Sequence, residues 1–574
     1  MTFNSCPDRD RILAASGHVV VTGGPGCGKT TVALRKALLR INAGMEPGQK
    51  VLFLSFSRAA VARIVEAARK DLPREVRASL EIQTFHSFCW QLVRGHGYLL
   101  GAPTPIKLIA PHDERARRNG AKDHDPLWDA ELERLFSEEG LIAFDLFAPK
   151  ARQLLSRSVA FRKLVAEKYP LIIVDEAQDT GTEQWECIAS LAAYTQLICL
   201  ADLDQQIYDF RRDVSPDRLA HILAALNPLE VALGAQNNRS PGVEIVQFGN
   251  DILANTPRGG PYRGVSQVMF NPTAAERDKS IRRAVGIIYQ TIKKETGLSP
   301  ASVGYLTNWG KGVAVIARAL QGDGGTIGEI PHRVVVDEAE VLLATRVVAL
   351  CLEPVIDVWA TLATGLNLIA EVYRGQGKTD KVQTLTGAAD AAAKGELARR
   401  AKCPAALKTI LGSLQATPLT GEPGADWLHI RRLFEMSDVD ELKRIAQLVI
   451  YLLAFNRGRR ITDSLAEKWQ RRGCYADARV IMEAAISEDQ IVGSDGSLDG
   501  INVMTMHKSK GKEFDGVILL HLGRLSPFSP DSEPAPHQRS RRLLRVGITR
   551  ARRHTIILTD AFSPSPLLRG HVLT

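Results

Sequence analysis

The sequence predicts an α/β chain of two parallel-sheet domains, each interrupted by a helical insertion. Three observations carry that expectation. Short apolar runs of strand length recur in separate blocks and alternate with helical segments. A Gly-rich turn, GGPGCGKT at Gly23–Thr30, stands between one such run and a helix. The run Leu171–Val174 ends in two carboxylates, Asp175 and Glu176, and a strand end is where an open parallel sheet presents its ligand crevice.

In chain order, His18–Thr22 reads as a strand, followed by the Gly-rich turn and a helix over Thr30–Asn42. Val51–Phe56 is a second strand, followed by an Ala-rich helix over Arg58–Lys70. From Phe88 to about Ala166 the pattern turns helical and charged, as an insertion would. Strands return at Leu171–Val174 and Gln196–Leu200. A second α/β rhythm starts near Leu229, includes Val303–Leu306 and breaks near Cys351. The chain then reads helical to about Ser487, and strands resume at Ile501–Met504 and Val517–His521. The expected boundaries are residues 1–87 and 167–228 for the first α/β domain around an insertion at 88–166. The second domain takes 229–350 and 488–574 around an insertion at 351–487.

With 574 residues the chain exceeds one core, and 45% hydrophobic content is ordinary for a globular protein. The net charge of +9 is a mild excess that suits a polyanionic partner without requiring one. Eight cysteines with no CxxC pair argue against a zinc ribbon and suit free buried thiols in a reducing compartment. The N-terminus carries no apolar signal core. Val347–Tyr373 is broken by Glu353, Pro354 and Asp357, which suits a buried helix and excludes a membrane span. These features point to a cytoplasmic location and no membrane partner. The chain runs only about twenty residues past its last motif, so no appended domain is expected.

The turn fits G-x-x-x-x-G-K-[ST]. Its glycines let backbone N–H groups approach phosphate oxygens, Lys29 brings charge to the outer phosphates, and the Thr30 hydroxyl can ligate Mg²⁺. One of the carboxylates Asp175 and Glu176 can hold Mg²⁺ through water, and the other can orient an attacking water. Together these are the two halves of a nucleotide hydrolase. Gln178 and Asp179 extend the pair into DEAQD, a narrower signal than an acid after a strand.

DEAQDT, followed by ADLDQQIYDFRR at Ala201–Arg212, resembles the UvrD/Rep/PcrA-type superfamily 1 DNA helicases. The similarity continues in order through LFLSFSRAA at Leu52–Ala60, QTFHSF at Gln83–Phe88 and QNNRS at Gln236–Ser240. It ends with TMHKSKGKEF at Thr505–Phe514 and RRLLRVGITRAR at Arg541–Arg552. The resemblance implies two RecA-like P-loop NTPase domains, with accessory subdomains at the two helical insertions. It implies that Gly23, Gly24, Pro25, Gly26, Cys27, Gly28, Lys29, Thr30 and Thr31 cradle ATP, with Thr30 and Asp175 on Mg²⁺. It makes Glu176 the base or water-positioner and Gln205 the sensor of the γ-phosphate. Arg239 and Arg550 become arginine fingers from the second domain, and Glu513 contacts the ribose or braces them. Phe56, Thr84, His86, Tyr208, Phe210, Arg211, Thr505 and His507 are the DNA-side residues it implies. Aromatic faces stack on bases without reading sequence, which suits a motor that steps along any strand.

Three departures stand out. Arg9, in CPDRDRIL, occupies the best match to a glutamine that reads adenine in this family, and Asn238 stands where a tyrosine stacks on it. Relaxed base selection, or adenine held by other groups, is the expectation. Lys512 replaces a common leucine, and Arg545 a common tyrosine. The rest of the basic run Arg539–Arg553 reads as a solvated helix face. The Lys/Arg-rich stretches Lys394–Lys408 and Arg457–Arg472 read either as a grip on duplex backbone or as a soluble helical surface.

The leading expectation is an ATP-dependent helicase and translocase moving 3′ to 5′ on single-stranded DNA, acting at ss/ds DNA junctions in repair or recombination. Polarity is carried by the resemblance alone. The alternative is a DNA-sensing ATPase subunit that gates a partner nuclease in anti-phage defence. A repair-protein partner and a translocase that strips proteins from DNA are further readings.

Overall fold

The computed structural model describes residues 6–109, 114, 125–206, 214–234, 240–322, 327–335, 338–375, 379–398, 402–417, 419–449, 459–482 and 498–573. The chain divides into two compact units. The first comprises Met1–Leu100, Phe147–Val335 and Ser494–Thr574, and the second Gly101–Leu146 and Val336–Gly493.

The first unit holds two six-stranded parallel sheets. The strands of one are β1 (Val19–Thr22), β2 (Val51–Ser55), β3 (Leu80–Thr84), β6 (Leu171–Val174), β7 (Gln196–Ala201) and β8 (Leu229–Ala232). Their order is β3-β2-β6-β7-β1-β8. β2 and β6 are buried along their whole length. Helices cover both faces of a parallel sheet, so its central strands read as continuous apolar runs and not as alternation. The helices carry matching stripes. Val32, Ala33 and Ala37 of the helix Lys29–Asn42 and Ile64 and Ala68 of the helix Arg58–Asp71 pack on Val19, Val21, Phe53 and Ile173. Ser57 starts the latter helix by accepting a bond from the Ala60 N–H at 3.2 Å, and Pro73 follows its end.

The other sheet is built from β9 (Val265–Phe270), β10 (Ser302–Thr307), β11 (His332–Val334), β12 (Gly500–Thr505), β13 (Phe514–His521) and β14 (Ala551–Asp560). Its order is β11-β12-β10-β13-β14-β9. Leu306, Met504, Leu519 and Ile557 from its strands meet Leu544, Val546 and Ile548 of the helix Gln538–Ile548.

The second unit is mainly helical. Helices Glu338–Leu352, Val358–Gly375, Thr379–Ala393, Lys402–Ala416, Pro423–Met436, Asp440–Val449 and Arg459–Arg472 belong to it. Leu343, Val347, Leu366, Leu411, Ile430 and Ile445 belong to its core. The two short strands β4 (Lys107–Leu108) and β5 (Leu141–Ile142) pair in parallel beside the helix Pro126–Glu139. Lys408 lies over the Trp359 ring at 3.7 Å, Lys468 pairs with Asp477 at 3.0 Å, and Arg471 with Glu467 at 2.6 Å. Several cations of the basic stretches are thus engaged on their own surface.

Four sequence expectations are corrected. β8, expected to open the second α/β domain, pairs with β1 through Val19–Leu229 and Thr22–Ala232 and so closes the first sheet. The first insertion narrows from 88–166 to the segment Gly101–Leu146 of the second unit. The flanking helices Phe85–His96 and Phe147–Arg157 carry apolar faces that bury in the first unit, with Trp90 stacked on Phe147 at 5.0 Å. The second insertion begins earlier, because Ala344, Val347 and Val348 of the helix Glu338–Leu352 belong to its core. Val347–Tyr373 forms parts of two helices separated at Glu353–Asp357, not one. The basic run near Arg541 is not a solvated face either: Arg541, Arg545 and Arg550 are buried. All eight cysteines are free, six of them buried. Among the described residues no helix is long and apolar enough to cross a membrane.

Candidate nucleotide site and strand-end face

The Gly-rich turn leaves the C-terminal end of β1, and Gly28 begins the following helix with φ 93°. That left-handed conformation is one a residue with a Cβ rarely adopts. The helix N-terminus and the turn's N–H groups make a ready anion cradle. Lys29 opens the helix, and its Nζ donates to the carbonyls of Gly23 at 2.5 Å and Gly24 at 3.1 Å. It also lies 3.9 Å from the Asp202 carboxylate at the end of β7.

Asp175 and Glu176 follow β6, and Glu176 takes φ 52°. The two acids are held differently. Burial pushes the Asp175 carboxyl up to about 6, Glu176 adds to the rise, and Arg63 and Lys29 oppose it. Its Oδ2 is buried with no hydrogen-bond donor, and Arg63 Nη2 stands 3.7 Å away. Burial acts on Glu176 in the same direction, but Lys510, Lys29, Arg63 and the Gln178 amide outweigh it and hold it below the ordinary carboxylate value. Gln178 Nε2 donates to Glu176 Oε2 at 2.6 Å.

A buried network joins the two sheets. Gln205, just after β7, donates through Nε2 to Asp202 at 2.6 Å. Its Oε1 accepts from Arg550 Nη2 at 2.7 Å, and Arg550 comes from the second sheet's side. Lys510, between β12 and β13, pairs with Asp179 and donates to the Gln205 carbonyl. Arg63 Nη1 donates to Glu513 Oε1 at 3.2 Å. Gly511 has φ 80°, and a Cβ there would stand 2.9 Å from the Ser57 hydroxyl, so the close approach needs glycine.

Of the residues singled out from sequence, Lys29, Asp175, Glu176, Gln205, Glu513 and Arg550 gather in this network. Glu513 braces Arg63 and Arg552, the latter at 3.3 Å, and among its described bonds none reaches Arg550. Arg239, Asn238, Tyr208, Phe210 and Arg211 lie outside the described residues. Arg9 donates to the Cys27 carbonyl at 3.3 Å, which ties it to the phosphate loop. Lys512 is buried, and its carbonyl faces Arg550 Nη1 at 3.5 Å.

Phe56, Thr84, His86, Thr505 and His507 sit at or just past the C-terminal ends of β2, β3 and β12. Thr84 caps the helix Phe85–His96, accepting from the Ser87 N–H at 3.1 Å. Thr505 accepts from the Lys508 N–H at 3.4 Å.

Sequence reasoning passed over Arg63, Asp202 and Lys510. Lys510 lay inside the quoted string TMHKSKGKEF, so its signal was present. Arg63 had none, since nothing in the spacing of its helix sets it apart from Arg58 or Arg69.

Comparison with known proteins bears on this site. A family described as "AAA domain" matches residues 11–211, and one described as "UvrD-like helicase C-terminal domain" matches residues 436–560. The chain is similar to DNA helicase II of Haemophilus influenzae, 23% identical over 43% of this chain and 40% of that protein. It is similar to ATP-dependent DNA helicase Rep of Escherichia coli, 25% identical over 42% of each. A shorter match, 32% identical over 20% of this chain and 10% of the other, is to an ATP-dependent helicase/nuclease protein of Pelotomaculum thermopropionicum. The similarity thus spans about two fifths of the first two relatives.

Proposed function

Because this chain belongs to the UvrD/Rep-like superfamily 1 helicases, we propose that it hydrolyses ATP between its two sheets and uses the cycle to move 3′ to 5′ along single-stranded DNA, separating strands at ss/ds junctions. One observation carries the reading. Lys29, Asp202, Gln205 and Arg550 form a continuous chain of polar contacts from the phosphate loop to the second sheet's side. A group that bears on the outer phosphate at Lys29 is therefore felt at Arg550. Guanidinium forks stabilise charge spread over phosphoryl oxygens, so the phosphates would draw the two sheets together and their release would relax them.

Within that scheme Glu176, held ionised, accepts from the attacking water and orients it. The Thr30 hydroxyl and the Asp175 carboxylate would hold Mg²⁺. The buried Asp175 Oδ2 without a donor and the raised Asp175 carboxyl both suit a cation ligand. Mg²⁺ there supplies charge neutralisation on the phosphate oxygens. Arg239 is the further arginine finger of this reading, and Phe56, Thr84, His86, Tyr208, Phe210, Arg211, Thr505 and His507 face the DNA. A cytoplasmic location and a role in repair or recombination belong to the same proposal.

The test is strand displacement on duplexes with 3′ or 5′ single-stranded tails, run with ATP, GTP and CTP. Unwinding of the 3′-tailed substrate, lost in Lys29→Ala, is expected. Unwinding only from 5′ tails refutes the polarity, and DNA-stimulated hydrolysis without unwinding of either refutes the helicase. Equal turnover of the three nucleotides would tie the Arg9 and Asn238 departures to relaxed base selection.

A further inference from the structure

We propose that Arg545 is an additional phosphate-binding cation of the nucleotide site, engaged by the triphosphate and not by the diphosphate. The proposal rests on the nucleotide reading of the phosphate loop. Arg545 lies on the helix Gln538–Ile548 and is 1% exposed. Its Nε donates to Asn250 Oδ1 at 3.0 Å. Its Nη2 lies 3.6 Å from Asp204, whose side chain is 59% exposed, and its Nη1 is buried with no acceptor.

The head of this side chain reaches the phosphate loop. A Cβ built on Gly24 would stand 3.9 Å from Arg545 Nη2, and nothing else lies within 4 Å of that point. The Lys29 amine approaches the same residue, 3.1 Å from the Gly24 carbonyl. Lys29 and Arg545 therefore flank the loop at one place, from opposite sheets. Since Lys29 serves the outer phosphates, the outermost oxygens are what Arg545 can reach.

Energetics point the same way. A buried donor without an acceptor carries an unrecovered desolvation cost, larger for a charged group. An anion beside Nη1 would remove it. The Asp204 contact is long and half in water, so it holds Nη2 weakly and an incoming oxygen can compete for it. The planar guanidinium can then present two N–H groups to a phosphate, which the tyrosine common at this position in the family cannot do.

Titration of the full chain with a non-hydrolysable ATP analogue and with ADP, by competition against a fluorescent nucleotide, tests this. Arg545→Met should weaken the analogue about tenfold or more and leave ADP within about twofold, with Arg545→Lys restoring part of the loss. Asp204→Asn, a surface change, should tighten the analogue about twofold by releasing Nη2. Equal weakening of both nucleotides in Arg545→Met, as a repacked site would give, overturns the proposal, and so does unchanged binding. Should Arg545→Met fail to fold, an unchanged triphosphate affinity in Asp204→Asn overturns it. Failure of the unaltered chain to bind either nucleotide would instead sink the nucleotide reading itself.

Discussion

The network around Glu176 and the strand-end face with Phe56, Thr84, His86, Thr505 and His507 stand on the same two sheets, yet they are held in opposite ways. In the network, Asp179, Gln205, Lys510 and Arg550 are all buried and bonded from one sheet to the other. On the strand-end face, Phe56, His86, Thr505 and His507 are half-buried, and the Thr84 and Thr505 hydroxyls bond within their own turns. Chemistry on a phosphate needs charges fixed before the substrate arrives, because reorganising them at the moment of reaction is costly. A surface that must release and regrip a polymer is better served by contacts that are individually weak and indifferent to sequence.

Glu176→Gln is the strongest way to break that contrast. It keeps the size of the side chain and its place beside Gln178 but removes the acceptor. DNA-stimulated turnover should fall at least about 100-fold, with nucleotide affinity within a few-fold of the unaltered chain. Stopped-flow phosphate release and nucleotide titration measure the two. Normal turnover would remove Glu176 from the chemistry.

Asp179 probes how tightly the network is locked. Burial pushes its carboxyl up to about 7 against the pull of Lys510. The folded state thus favours the protonated form. That contribution to stability is complete below about pH 4, the ordinary carboxylate value, and is lost as pH rises through about 7. Asp179→Asn cannot ionise. Its melting temperature, measured against the unaltered chain, should therefore improve steadily from about pH 4 to about pH 8. A flat difference would mean that Lys510 keeps Asp179 ionised throughout.

How legible each region was follows from the same contrast. The phosphate loop and the carboxylate pair could be read because their chemistry sits in contiguous residues at a strand end: Gly23–Thr30 after β1, and Asp175 and Glu176 after β6. Arg63 and Lys510 act through partners hundreds of positions away, such as Glu513 and Asp179, and only the folded chain brings them together. β8 was assigned to the wrong sheet for a related reason. Four residues of alternating burial state a strand but not its neighbour, and its pairing with β1 follows from the crossover. The arginines at 541, 545 and 550 read as surface because their charge outweighs the leucines and valines between them. In the fold, carbonyls and amides such as Ile252 O, Asn250 Oδ1 and Gln205 Oε1 accept their bonds.

The smallest expected effect separates the two jobs of Thr84. Its hydroxyl accepts from the Ser87 N–H at 3.1 Å and lies 2.9 Å from the Ser87 hydroxyl, so it is first a helix cap. Thr84→Ala should lower stability by about 1 kcal/mol in urea unfolding, and Thr84→Ser should restore it. If the same hydroxyl also meets a DNA phosphate, Thr84→Ala should weaken single-stranded DNA binding a few-fold more than an equally destabilising change away from the strand ends, such as Ser158→Ala. Ser158 caps the helix Val159–Lys168 through the same kind of bond, to the Phe161 N–H at 3.1 Å. Equal DNA affinity in the two alanine variants would leave Thr84 a cap and nothing more, and would shift the DNA contact of this strand end to His86.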